Sequence, residues 1–158
     1  MSDSFIFVCK IEFLKDLIEV LAAIQNYILI KEKMLLRGAL DYGKLYVHKE
    51  KNSIIGPAFI SAFKCQENNA IYPRIIICNS IKDLVDYKDD SVKKYICHDK
   101  EEIIDYIDFS LDCDVLEKEV FIFLEKKYTD NKNNLNIRQK YGWMKNYLEA
   151  KKKEAKNE

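Results

Sequence analysis

Three of the chain's four glycines, Gly38, Gly43 and Gly56, and both prolines, Pro57 and Pro73, fall between Arg37 and Ile77. These residues set backbone geometry that others reach only at a cost. The rest of the chain is mostly Lys, Glu, Asn and Ile, so this stretch constrains the fold most. It reads as strand, turn, strand, helix, strand. Gly38 and Gly43 weaken a strand interior and mark a bulge or a close backbone approach. Gly56-Pro57 opens a helix, because proline's missing N–H costs nothing in a first turn. That helix runs through Ala58, Phe59, Ala62, Phe63 and Gln66 to Asn68-Asn69. Tyr72 to Cys78 follows as a strand, and its unbroken Ile75-Ile76-Ile77 predicts burial on both faces.

The flanks complete the pattern. Ser4 to Lys10 is short, β-branched and aromatic, which suits a buried strand. Glu12 to Lys33 is a helix, with Leu14, Leu17, Ile18, Leu21, Ile24 or Gln25, and Ile28 at three-four spacing. Met34 to Lys49 reads as a strand pair or one long bent strand. Ser80 to Asp86 is a short helix with Ser80 as N-cap. Lys94 to His98 is a strand, and Glu101 to Ile107 a helical turn or two. Cys113 to Tyr128 and Ile137 to Lys153 are helices. The order β-α-β-β-α-β, then helices, is that of an α/β (α+β) sandwich of the ferredoxin type, with a mostly antiparallel sheet. Residues 1–158 form one domain, with 113–158 as a helical extension.

Composition narrows the function. With 26 basic and 26 acidic residues the net charge is zero. No overall field is available to hold nucleic acid or an anionic membrane. Lys151-Lys152-Lys153 reads as a solvated helix end. The apolar region Leu14 to Ile30 is broken by Lys15, Asp16, Glu19, Gln25 and Asn26, so it does not span a membrane. The start MSDSFIFVCK has no secretory leader. The five cysteines, Cys9, Cys65, Cys78, Cys97 and Cys113, include no Cys-x-x-Cys pair. They predict a reducing, cytoplasmic setting without a zinc site. Cys9 and Cys78 read as buried small hydrophobes.

Candidate chemistry is sparse. Gly38 and Gly43 would let a ligand approach the backbone, Asp41 would hold a cation, and Arg37 would hold a phosphate. The competing reading is a bulged strand with Arg37 in a surface ion pair. Gly56 marks either an anion site at a helix start or a packing contact. Lys64 either reaches a phosphate or is solvated. Asp3 is a magnesium ligand only beside a second acid. His48 and His98 lack a partner at an interpretable spacing. Trp143 and Tyr147 read as core or interface aromatics.

The motifs RGALDYG (Arg37 to Gly43), IIGPAFISAFKCQE (Ile54 to Glu67) and IYPRIII (Ile71 to Ile77) occur in linked order. Lys140-Tyr141-Gly142-Trp143-Met144 follows near the end. Together they resemble the class III nucleotidyl cyclases, in the bacterial branch that includes the pyrimidine cyclases of Pycsar anti-phage systems. The resemblance implies a cyclase sandwich lacking its first strand. It implies a nucleoside triphosphate substrate and a homodimer with the active site between subunits. Mg or Mn would be held by two aspartates, of which Asp3 in Ser2-Asp3-Ser4 matches the second. Arg37, Gly38, Asp41 and Arg74 would bind nucleotide. Ile60 and Lys64 stand where cyclases carry Asn and Arg, so Lys64 would keep the charge but not the guanidinium fork. The first strand and its aspartate are not in this chain. A late start or a truncated gene would explain that, and the chain is expected to be inactive alone. The alternative is a non-catalytic binding or dimerisation module on the same fold.

Overall fold

The computed structural model describes residues 4–51, 53–85, 89–100, 104–110 and 118–157. The first helix, α1 (Leu14–Tyr27), is entered through a 3-10 turn at Ile11–Phe13 and leaves through a π-helical turn at Ile28–Glu32. It closes at Lys33 in the left-handed conformation, φ 54°. Its inward row buries Ile18, Leu21, Ala22 and Gln25. The Gln25 amide donates to the Pro73 carbonyl at 3.0 Å, which ties the helix to the turn before the central strand.

The sheet is mixed. Strands β1 (Gly38–Leu40), β4 (Ile75–Ile77), β6 (Ile104–Ile107) and β5 (Ile96–Asp99) lie side by side in the order β1-β4-β6-β5. β1 and β4 run parallel, and the other two pairings are antiparallel. β2 (Tyr46–His48) and β3 (Ser53–Ile55) form a separate antiparallel hairpin. Helix α2 (Pro57–Asn69) then returns the chain to β4. All three isoleucines of β4 are buried, as their unbroken run predicts. The chain is therefore a mixed helix-and-sheet protein of the α+β kind.

After β4 come α3 (Asn79–Lys82) and α4 (Asp90–Lys93), each a single turn. The chain closes with α5 (Lys118–Asp130) and α6 (Leu135–Asn157), which pack on each other. Gly142 lets them approach, since a Cβ there would lie 3.1 Å from the Tyr128 ring. One core runs through the sheet and helices, from Ile18 and Leu29 of the first helical region to Leu124, Met144 and Leu148 of the last two.

Several expectations are corrected. Ser4 to Lys10 is not a buried strand: it is extended and exposed, with Phe5 73% accessible. Strand propensity is realised only against a neighbouring strand, and among the described residues none pairs with it. Met34 to Lys49 is neither one strand nor a pair, because β1 and β2 belong to different sheets. Ile104–Ile107 is a strand, not a helical turn, since pairing with both β4 and β5 overrides local pattern. Ser80 does not cap α3. The helix starts from Cys78 without a side-chain cap bond. Asp3, Asp86, Glu101 and Cys113 lie outside the described residues.

The cysteine reading also changes. Cys65 of α2 and Cys78, just past β4, are joined by a disulfide, and Cys9 is exposed rather than buried. Spacing alone hid the pair, because the two sulfurs meet only when α2 folds back over β1 and β4. A bridge spanning 13 residues restricts the unfolded chain by about 3 kcal/mol. Intact mass should rise by one hydrogen per bridged sulfur on reduction. Reduced protein, or Cys65→Ser, should melt lower in calorimetry by a comparable free energy.

Candidate functional site

The residues singled out by sequence fall at two ends of the β1–β4 pair. At the carboxyl end, the Cys78 N–H donates to the Leu40 carbonyl at 2.9 Å. This bond brings Asp41 beside Ser80. One carboxylate oxygen of Asp41 accepts from the Tyr42 N–H at 2.8 Å and from the Ser80 hydroxyl. The other, Oδ2, is buried and takes no hydrogen bond among the described residues. A bare carboxylate oxygen is costly to bury, and its chemistry is that of an acceptor for a donor or cation. The carboxyl ends of parallel strands are where open α/β sheets bind ligands. Gly56 lies close by, and its role is packing. A Cβ there would stand 2.6 Å from the Lys44 carbonyl oxygen, so nothing larger fits without a shift.

Arg37, Gly38 and Arg74 cluster at the opposite end, about 10 Å away at the usual strand rise. Arg37 is exposed, pairs with Glu67 at 2.9 Å, and donates to the Ala70 carbonyl at 3.4 Å. It clasps the start of β1 to the end of α2. Gly38 donates its N–H to the Arg74 carbonyl at 3.1 Å. Arg74 is wholly buried. Its guanidinium sits 2.8 Å from Asp99 and within 5.3–5.6 Å of the rings of Tyr72, Tyr106 and Trp143. Lys64 is exposed on the outer face of α2. Thus the structure groups Arg37, Gly38 and Arg74 at one end of β1 and sets Asp41 at the other, with Lys64 on α2 one turn before Glu67, the partner of Arg37.

The resemblance implies Mg or Mn. Among the described residues no group of three or more His, Cys, Asp or Glu could hold a metal ion. Asp41 is a single carboxylate with one open oxygen, short of the two acids of a two-metal site. The described residues therefore do not fit the implied pair of ions.

A second cluster went unread in sequence. Asp108, just after β6, is buried and accepts from the Ser110 N–H and hydroxyl at 2.9 and 2.6 Å. It also accepts from the Tyr147 hydroxyl at 2.5 Å and the Lys151 ammonium at 2.7 Å. The Cys97 thiol donates to it at 3.1 Å. Trp143, Tyr147 and Lys151 recur every four residues along α6, so one helix face supplies all three. Lys151 is thereby no frayed end: α6 runs on to Asn157, and Lys151 is ion-paired. A cleft of about 480 Å³ between β5 and α6 is lined by Cys97, His98, Tyr106, Trp143, Tyr147 and Lys151, among others. A cue was present in Asp108-x-Ser110, a turn in which a carboxylate bonds two residues on.

The cluster's electrostatics are those of a fastening. Burial alone would raise the Asp108 pKa, but hydrogen bonds from Lys151, Ser110 and Tyr147 outweigh it and hold the carboxyl below its ordinary value. Burial, then the Asp108 charge, pushes the Cys97 thiol up to about 12. The same two causes raise Tyr147 well above its usual value. Burial works against the Lys151 ammonium, yet Asp108 holds its pKa above the usual value. At neutral pH the carboxylate and ammonium stay charged, and the thiol and phenol keep their protons. No member is poised as base or nucleophile. His98 does have a partner, contrary to its sequence reading: its Nδ1 lies 2.6 Å from Asp105, directly across the β5–β6 ladder. The helical reading of residues 101–107 had hidden that register.

No family model, curated protein or solved structure matches the chain.

Two measurements check this geometry. Arg74→Lys keeps the charge but loses the fork, and should lower stability by about 2–4 kcal/mol in urea titration, because it disturbs a buried pair. Asp108→Asn should be destabilised at neutral pH. The Asp108 pKa is depressed on folding, so its contribution is complete above about pH 4 and fades as pH falls through the folded value. Wild-type and Asp108→Asn melting curves should therefore converge in acid and separate above about pH 4.

Proposed function

We propose that the chain is a nucleotidyl cyclase-like module that binds a nucleoside triphosphate at the carboxyl end of β1 and β4, and that does not cyclise it alone. The observation that carries this reading is the buried, unmatched Oδ2 of Asp41 beside the Ser80 hydroxyl. The motif order supports the same reading, since RGALDYG holds β1 and IYPRIII holds β4. Asp41 would accept from a ribose hydroxyl or a base amino group, and pyrimidine is the class implied by the resemblance. The chemistry of such cyclases is attack of the ribose 3′-oxygen on the α-phosphorus, with pyrophosphate leaving.

Two observations argue for binding without turnover. Arg37 is spent on Glu67, and Arg74 on Asp99. Neither guanidinium is then available to the charge that develops on a transferring phosphoryl group. The same observations favour the rival reading, a non-catalytic assembly module that binds no nucleotide.

Purified chain with each of the four triphosphates and Mn²⁺ separates these readings. At least one triphosphate, and a pyrimidine one first, should raise the melting temperature, and Asp41→Ala should abolish the rise. No cyclic product should form. A melting temperature indifferent to all four sinks the nucleotide reading and leaves the assembly module. Cyclic product that disappears in Asp3→Ala sinks the claim of inactivity.

A further inference from the structure

Strand β5 is an outer edge of the four-stranded sheet, with β6 on one side only. The register fixes which of its main-chain groups point outward. The Asp108 N–H donates to the Tyr95 carbonyl at 2.8 Å, and the ladder continues with Cys97 opposite Tyr106 and Asp99 opposite Ile104. Hydrogen-bonded pairs alternate in an antiparallel ladder, so Tyr95, Cys97 and Asp99 turn their N–H and C=O toward β6. Ile96 and His98 turn theirs away from it. Among the described residues no backbone group bonds to that outer side.

The cleft beside α6 opens along this edge. Side chains alternate between the two faces of a strand. Cys97 and Tyr106 share the face toward α6, where Tyr106 meets Trp143 and Tyr147. His98 and Asp105 share the other face, where Asp105 also meets Lys82 of α3 at 3.6 Å. Yet His98 lines the cleft. Its imidazole is engaged on the far face, so what it offers the cleft is main chain. An open strand edge therefore coincides with a groove of about 480 Å³ walled by a helix. Such an edge gives affinity to an added strand, and the adjoining groove selects its side chains.

We propose that this groove binds an extended, basic peptide of a partner protein, added as a further strand on β5 with side chains against α6. Charge decides the chemistry of the occupant. Arg74 with Asp99, and Lys151 with Asp108, cancel as pairs. Glu154 shares Lys151 at 3.1 Å, and its side chain is 65% exposed, so the lining carries a negative charge in excess. A lysine or arginine of the peptide meets that carboxylate, and its apolar side chains meet Trp143 and Ala150. β5 and β1 are opposite edges of the sheet, so the site stands apart from Asp41 and does not rest on the nucleotide reading.

Random peptides displayed on phage and panned against the full chain test it. Enriched peptides should alternate apolar residues with Lys or Arg, and their synthetic copies should bind in fluorescence polarisation. His98→Pro removes one outward N–H without touching the β6 ladder. It should weaken binding by about tenfold, the worth of one main-chain hydrogen bond. His98→Ala keeps that N–H, loses only the far-face contact, and should bind like wild type. Ala150→Trp fills the groove from an exposed helix position and should abolish binding. No enrichment, enrichment without basic residues, or peptides indifferent to His98→Pro and Ala150→Trp overturns the proposal. Should the variants unfold, amide hydrogen exchange on the wild-type chain gives an independent reading. A bound peptide should slow exchange at Ile96 and His98, and protection confined to other elements overturns the site.

Discussion

The structure depends on one buried cation. Arg74 brings a full positive charge into the interior at the head of the central strand, with no exposed surface of its own. An isolated charge there is untenable, because the loss of hydration far exceeds any packing gain. Asp99 supplies the counter-charge from the end of β5. Tyr72, Tyr106 and Trp143 supply ring faces from the turn before β4, from β6 and from α6. One guanidinium thus requires three strands and the last helix to be in place together. Trp143 in turn stacks between Tyr72 and Tyr147, so the cage is continuous with the second fastening at Asp108.

What the sequence shows and hides follows from the range of each interaction. Helices α2 and α6 and strand β4 were legible because their signals are local: proline in a first turn, helical spacing, an unbroken Ile run. The strand at Ile104–Ile107 was not, because its four residues become a strand only between β4 and β5. The Cys65–Cys78 bridge and the Asp108–Lys151 pair depend on the tertiary fold, and the His98–Asp105 contact on the β5–β6 register, so spacing along the chain carries no trace of them. Ser4 to Lys10 failed the other way, with strong propensity and no neighbour to satisfy it.

The candidate site divides in the same manner. Arg37 in a surface ion pair was one of the two readings open from sequence, and the pairing with Glu67 is that arrangement. Arg74 stood out only as part of a motif, and nothing in its neighbours announces a buried aromatic cage. Asp41 keeps an oxygen that is hidden from solvent and meets no donor among the described residues. The contrast is physical: Arg37 and Arg74 are met by Glu67 and Asp99, and this oxygen carries a desolvation cost that no described contact offsets.

The two fastenings share one helix face. Trp143 walls the Arg74 cage, and Lys151, about two turns further along α6, pairs with Asp108. Tyr147 lies between them, stacked on Trp143 and bonded to Asp108. A displacement of α6 would therefore strip both buried charges of a partner at once, so the two sites are coupled through a single rigid element.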